Sequence, residues 1–152
     1  MSVKRVLFLC IGNSCRSQMA EGFARRYGAD VMEVASAGLS PAPIVQLLTK
    51  KVMAEKGIDI GEHFPKDLGN VGVSGYDLLI NMSGVRLPGR TPIAVREWKV
   101  QDPIGQSEEF YREVREQIED LVMRLILELR RDARIDAGEP VAKLTRLGRR
   151  PR

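Results

Sequence analysis

Apolar runs separated by polar, glycine- and proline-bearing stretches divide this chain into alternating strands and helices. Val3 to Leu9 is rich in leucine and β-branched residues after one charged pair, the pattern of a central parallel strand covered on both faces. From Ser17 to Tyr27 the residues Met19, Ala20, Phe23, Ala24 and Tyr27 fall on one helical stripe. Val31 to Ser36 reads as a second strand, and Pro43 to Lys56 as a helix with proline in its first turn and Gly57 just past its end. Tyr76 to Met82 predicts a third buried strand, Ile93 to Trp98 a weaker fourth, and Ser107 to Arg131 a long helix. Ser107 can cap that helix, and Glu108 and Glu109 complement its dipole. Its stripe of Phe110, Val114, Ile118, Leu121, Val122, Leu125, Ile126 and Leu129 should pack on the sheet. The alternation predicts an α/β fold, a single domain built on a four-stranded parallel sheet flanked by helices and joined by right-handed crossovers. The sequence contains no internal repeat and no low-complexity segment.

A chain of 152 residues suits one domain, and 43% apolar with 29% charged residues is a globular composition, far from that of a disordered chain. The first apolar run is broken by Gly12, Asn13 and Arg16, too early for a membrane span and without the form of a signal peptide. The two cysteines, Cys10 and Cys15, are five residues apart, which is poor use of a structural staple, and with no export signal the expected location is the cytoplasm. Residues 133–152 carry six Lys or Arg against two acids, so their +4 equals the net +4 of the whole chain. The expected organisation is therefore a catalytic domain over 1–132 and a basic, flexible C-terminal tail over 133–152. Lacking interleaved aromatics, that tail reads as a solvated appendage, and neither nucleic acid nor membrane is expected as a partner.

The chemistry concentrates in Cys10, Ile11, Gly12, Asn13, Ser14, Cys15, Arg16 and Ser17, which join a buried strand directly to a helix start. Such a loop can curl so that successive N–H groups point inward, forming an anion-binding nest reinforced by the helix N-terminus. Gly12 and Asn13 are residue types that tolerate the left-handed backbone a curl requires. Arg16 adds a planar fork suited to two oxygens of a tetrahedral anion, and the same donors favour a thiolate on Cys10 when no anion is bound. Ser17 can donate to the Cys10 sulfur. Ligands bind at the carboxyl ends of strands in parallel sheets, which is where Cys10 falls.

The segment resembles the low-molecular-weight protein tyrosine phosphatases and the arsenate reductases of the same fold, both carrying Cys-x5-Arg-Ser here. The likeness spans about residues 3 to 131 and includes Ser36-Ala37-Gly38, Gly57-Ile58-Asp59-Ile60, the strand at Tyr76 and the pair Asp102-Pro103. It implies a phosphotyrosine phosphatase I-like fold, with Cys10 as nucleophile, Arg16 gripping the anion, and Ile11, Gly12, Asn13, Ser14, Cys15 and Ser17 cradling it. It also implies that Asp102 protonates the leaving group and then activates water, a type of help that typically contributes 10² to 10⁴ in rate. Standing alone, Asp-Pro is a common turn opener.

Within the resemblance, Asn13 to Glu21 and Trp98 before Asp102-Pro103 look more like the arsenate reductases. The thioredoxin-linked members of that branch need two further cysteines after the strand that here is Tyr76 to Met82. This chain has Ser83 and a sulfur-free loop from Gly84 to Arg90 instead, and serine cannot take part in thiol exchange. Hydrolysis of a phosphoprotein or small phosphomonoester through a cysteinyl phosphate needs nothing that is missing and ranks first. Arsenate reduction with an external thiol reductant is the alternative, and a non-catalytic oxyanion-binding module the third. Ile104 and Gly105 stand where the phosphatases often carry tyrosines, and Tyr111 is expected to pack. No cofactor and no metal enter the expectation, although the arsenate reductase branch has a monovalent cation site whose matching positions are Asn13, Glu21, Ser36 and Asp67.

Other signals carry less. Gly84 to Thr91 nearly spells a nucleotide-binding loop, but Arg90 stands where lysine is needed, Pro92 follows, and a strand comes next where such a loop opens a helix. His63 is the single histidine, so neither a Ser-His-Asp triad nor a site of two cysteines and two histidines can form. It is expected to be solvated or packed in the loop from His63 to Asn70. Cys15 has two readings, a reversible disulfide partner that protects Cys10 or a small buried side chain.

Overall fold

The computed structural model describes residues 3–87 and 89–142. In it the chain runs β1 (Lys4–Cys10), α1 (Arg16–Tyr27), β2 (Met32–Gly38), α2 (Leu47–Ala54), α3 (Leu68–Val71), β3 (Leu78–Asn81), β4 (Ala94–Glu97) and α4 (Glu108–Asp136). The four strands form one sheet in the order β2-β1-β3-β4, every pairing parallel. This is the expected four-stranded α/β domain. Because β1 is flanked by β2 on one side and β3 on the other, the crossovers leave it in opposite directions. Its carboxyl end is thus the switch point where open α/β sheets hold ligands.

Period-two alternation along β1 sorts the core into two layers. Val6 and Phe8 face the helices α1 and α4, where they join Met19, Phe23, Ile118, Val122 and Ile126 in the larger cluster. Leu7 and Leu9 face the other side with Leu79 and Ala37, covered by Leu68, Val71, Tyr76 and Ile93. Burial on both faces explains the unbroken apolar run of β1. The strand β4 is an exposed edge throughout, which accounts for its weak signal.

Several boundaries differ from the expected ones for identifiable reasons. The segment from Pro43 is not helical until Leu47; it is laced to the Cys10 loop, with the preceding Ala42 N–H donating to Gly12 O at 2.9 Å and Gln46 N–H to Ser14 O at 3.0 Å. The short α3, unannounced by any periodicity, is started by Asp67, whose carboxylate accepts from Gly69 N–H at 2.6 Å. As expected, Ser107 caps α4, accepting from Phe110 N–H at 3.2 Å. That helix continues to Asp136, beyond the expected end at Arg131. Residues 143–152 of the basic tail lie outside the described residues.

Candidate functional site

The loop leaving β1 is buried for most of its length: Cys10, Asn13, Ser14, Cys15, Arg16 and Ser17 are buried, Gly12 is half-buried, and Ile11 is exposed. Asn13 takes the left-handed backbone, at φ 49°, whereas Gly12 does not. A Cβ at position 12 would lie 3.3 Å from Ser14 Oγ, close enough to press on that side chain, and 3.6 Å from the Cβ of Ala42, an ordinary contact. Gly38, at the end of β2, is a stricter requirement. A Cβ on it would come 2.7 Å from Ile11 O and 3.0 Å from Asn13 N, so only a bare backbone lets β2 support the loop from behind.

A directed hydrogen-bond chain ends on the sulfur of Cys10. The backbone N–H of Lys66 donates to Asn13 Oδ1 at 2.9 Å, which fixes the orientation of that amide. Asn13 Nδ2 must then donate to Ser17 Oγ, 2.7 Å away. With its oxygen used as acceptor, Ser17 has its own hydrogen for Cys10 Sγ at 2.9 Å. When Cys10 is a thiolate its sulfur receives this hydrogen bond, at the N-terminus of α1.

Arg16, also buried, is anchored on one side of its fork. Its Nη1 donates to Met82 O at 2.6 Å and to Val100 O at 3.2 Å, tying the ends of β3 and of the segment after β4 to the loop. Its Nη2 lies 3.7 Å from Asp102 Oδ2. Asp102 is partly exposed, and its other oxygen accepts from Ile104 N–H at 3.1 Å, closing the Asp-Pro turn. The structure thus brings Cys10, Arg16 and Asp102 to one end of the sheet. Ile104, whose N–H closes the turn on Asp102, is 41% exposed.

Cys15 behaves unlike Cys10. Burial pushes its thiol up to about 12, only partly opposed by a hydrogen bond with Thr49, so it is a neutral group at ordinary pH. Both cysteines are free thiols. Tyr111, expected to pack, is buried in the main core, and desolvation pushes its hydroxyl up to about 12.

Sequence reasoning missed the role of Gln18. Its Nε2 donates to Asn13 O at 3.0 Å and to Phe64 O at 3.2 Å, so its Oε1 accepts from His63 Nδ1 at 2.9 Å. His63 is therefore part of the wall behind the loop, and burial lowers the affinity of its ring for a proton against the opposing pull of Glu21. No pattern in the sequence marks Gln18, because its partners are backbone carbonyls.

Among the positions matched to a cation site, Glu21 is buried and its carboxylate accepts from Ser36 Oγ at 2.8 Å, with Arg25 Nη2 at 3.4 Å and His63 Nδ1 at 3.3 Å. Asn13 Oδ1 is engaged by Lys66 N–H and Asp67 Oδ1 by Gly69 N–H. The side chains of Asn13, Glu21 and Asp67 thus each accept a hydrogen bond within the protein. Among the described residues there is no group of three or more His, Cys, Asp or Glu fit to hold a metal ion. Nor is any described helix long and apolar enough to cross a membrane.

Residues 5–88 match the family model of the low molecular weight phosphotyrosine protein phosphatases, and the chain belongs to that family. It is 40% identical to the glutaredoxin arsenate reductase of Synechocystis sp. over 131 residues, covering 84% of this chain and 99% of that protein. A solved arsenate reductase in its phosphate-binding state superposes with a TM-score of 0.76 at 39% identity, covering 84% of this chain and 99% of the other. The low molecular weight protein tyrosine phosphatase of T. tengcongensis follows at a TM-score of 0.72 and 30% identity, covering 84% and 99%.

Proposed function

We propose that the protein is an arsenate reductase of the low molecular weight phosphatase fold that takes its electrons from an external small thiol. The observation that carries the choice is the likeness over nearly the whole length of proteins named as arsenate reductases, at 38–40% identity. This reverses the order expected from the chain alone, in which phosphomonoester hydrolysis came first. Hydrolysis through a cysteinyl phosphate stays as the second reading, favoured by the same cysteine, arginine and aspartate and by the 30% identity to a tyrosine phosphatase.

In the proposed cycle, arsenate enters the nest and two of its oxygens meet the guanidinium of Arg16, whose anchoring by Met82 O and Val100 O pre-orients the fork. The Cys10 thiolate, oriented by Ser17, attacks arsenic. An S–As bond forms and an As–O bond breaks, Asp102 delivering the proton with which hydroxide leaves as water. An external thiol then attacks the Cys10 sulfur. The S–As bond breaks with its electron pair passing to arsenic, As(V) becomes As(III), the thiol proton goes to an arsenite oxygen, and the two sulfurs form a disulfide. A second thiol displaces Cys10 and carries the disulfide away.

An external donor is needed because the other sulfur of this chain is poorly suited to the task. Cys15 is buried and held as a neutral thiol, and a thiol attacks only as its thiolate. Ser83, where a relay sulfur would stand, spends its hydroxyl on Asn81 Oδ1 at 2.6 Å. The reaction fits the reducing cytoplasm. One preparation assayed both for arsenite released with a small thiol and for hydrolysis of an aryl phosphate tests the proposal. Arsenite formation with slow hydrolysis supports it, and fast hydrolysis with arsenate acting only as a competitive inhibitor favours the phosphatase.

A further inference from the structure

The carbonyls of the loop from Cys10 to Cys15 are turned toward neighbouring segments, and all but one are held there by backbone. Leu39 N–H donates to Cys10 O at 3.1 Å, Ser40 N–H to Ile11 O at 2.9 Å and Ala42 N–H to Gly12 O at 2.9 Å. Further on, Gln46 N–H donates to Ser14 O at 3.0 Å and Met19 N–H to Cys15 O at 2.9 Å. The exception is Asn13 O, which accepts from a side chain, Gln18 Nε2, at 3.0 Å. In a planar trans peptide the N–H points opposite to the C=O. The N–H groups of Ile11 through Cys15 therefore face into the curl, and among the described residues they take no acceptor. An oxyanion completes donors of this kind.

The peptide between Asn13 and Ser14 depends most on that side chain. Asn13 sits at φ 49°, a backbone less stable than the right-handed one for a residue with a Cβ. Rotating this peptide would turn Ser14 N–H out of the nest and put a carbonyl in its place. The bond from Gln18 to Asn13 O opposes the rotation. The amide of Gln18 is itself locked. Its Nε2 also donates to Phe64 O at 3.2 Å, and a flipped amide would set its oxygen against both carbonyls. Oε1 thus faces His63 Nδ1 at 2.9 Å, and Glu21 Oε2 lies 3.3 Å from the same nitrogen. Both neighbours of Nδ1 are acceptors, so it carries a proton whether the ring is neutral or charged.

We propose that Gln18 is a positioning residue for anion binding, holding the Asn13–Ser14 peptide with its N–H toward the oxyanion, and that His63 locks Gln18 by donating from Nδ1. The proposal rests on the loop from Cys10 to Ser17 being the anion site, which both readings of the function share, and not on which anion reacts. Gln18 acts on affinity and leaves the sulfur alone. The Asn13 side chain is oriented by Lys66 N–H and reaches Ser17 without help from Gln18, so the hydrogen bond to Cys10 survives its loss.

The test compares wild type with Gln18→Met, which keeps the length without a donor, and with His63→Phe, which keeps a ring without an Nδ1–H. Affinity for inorganic phosphate is read from its protection of Cys10 against iodoacetamide, and the unprotected rate reports the sulfur. Gln18→Met should weaken phosphate about tenfold, the effect of one hydrogen bond to a charged group, with the unprotected rate unchanged. His63→Phe should show a smaller loss in the same direction. Burial keeps the ring of this single histidine neutral at about pH 8, where nitrogen NMR of wild type should place its proton on Nδ1. Unchanged phosphate affinity in Gln18→Met would overturn the proposal, as would a neutral ring protonated on Nε2. A fall in phosphate affinity matched by an equal fall in the unprotected rate would assign Gln18 to the loop as a whole, and the proposal would fail. Should Gln18→Met not fold, His63→Phe and the wild-type ring decide. If phosphate does not protect wild-type Cys10 at all, the anion-site reading falls as well.

Discussion

The hydroxyl of Ser17 lies 2.9 Å from the sulfur of Cys10, and against a thiolate it is the hydroxyl that donates. Asn13 Nδ2 already donates to the Ser17 oxygen, and that amide is oriented by a backbone N–H whose direction cannot reverse. A hydrogen bond to a charged acceptor contributes about 1.5–3 kcal/mol. Ser17→Ala should therefore slow kcat/KM for arsenate about ten- to a hundredfold without loss of fold. Full activity in that variant would mean that the sulfur is oriented by the loop alone.

Arg16→Lys should lose both affinity and rate. An ammonium cannot hold two carbonyls at 2.6 and 3.2 Å and present two further donors to an anion. A fall on the order of a hundredfold in kcat/KM is expected, corresponding to about 3 kcal/mol. Phosphate protection of the variant against heat should weaken in parallel. If protection by phosphate persists unchanged, the anion binds elsewhere.

Asp102→Asn removes the proton donor and leaves the Asx turn at Ile104 able to form. On a series of aryl phosphates the loss should be large for poor leaving groups and small for phenolates that depart unaided. The same factor on every substrate would assign Asp102 to structure, through its contact with Arg16.

The raised Cys15 thiol predicts a stability profile. In the fold it stays protonated toward about pH 12, whereas in the unfolded chain it ionises near its ordinary value of 9. Its stabilising preference for the neutral form is thus intact below pH 9 and lost as pH climbs from 9 toward 12, by up to ~1.4 kcal/mol per pH unit. The difference in unfolding free energy between wild type and Cys15→Ser should be constant below pH 9 and change above it, the wild type falling faster. Parallel curves would mean that Cys15 is not desolvated.

The fold was largely legible because β1 and α4 carry unambiguous patterns, an apolar run of strand length and a helical stripe from Phe110 to Leu129. The sequence also pointed to Cys10, Arg16 and Asp102 and to a left-handed residue in the loop. Less visible was everything mediated by backbone. Gln46, inside the helix predicted from Pro43, instead gives its N–H to Ser14 O, and helix α2 begins only at Leu47. Gln18 supports Asn13 through a carbonyl, and Arg16 is positioned by the carbonyls of Met82 and Val100. Such acceptors are present at every residue and leave no signature in side-chain type. The distinction between arsenate and a phosphate ester was hidden for another reason, since both anions ask for the same nest and fork.

In the proposed cycle Cys10 reduces arsenate by passing through a mixed disulfide with an external thiol. A single-turnover experiment with arsenate and one equivalent of glutathione, quenched with acid, tests it most directly, with arsenite quantified and the Cys10 peptide weighed. One arsenite per chain matched by one glutathione on Cys10 is expected, with nothing from Cys10→Ser and no sustained turnover when thioredoxin replaces the small thiol. Recovery of arsenate unreduced, with Cys10 unmodified and aryl phosphate hydrolysis merely inhibited, would contradict it.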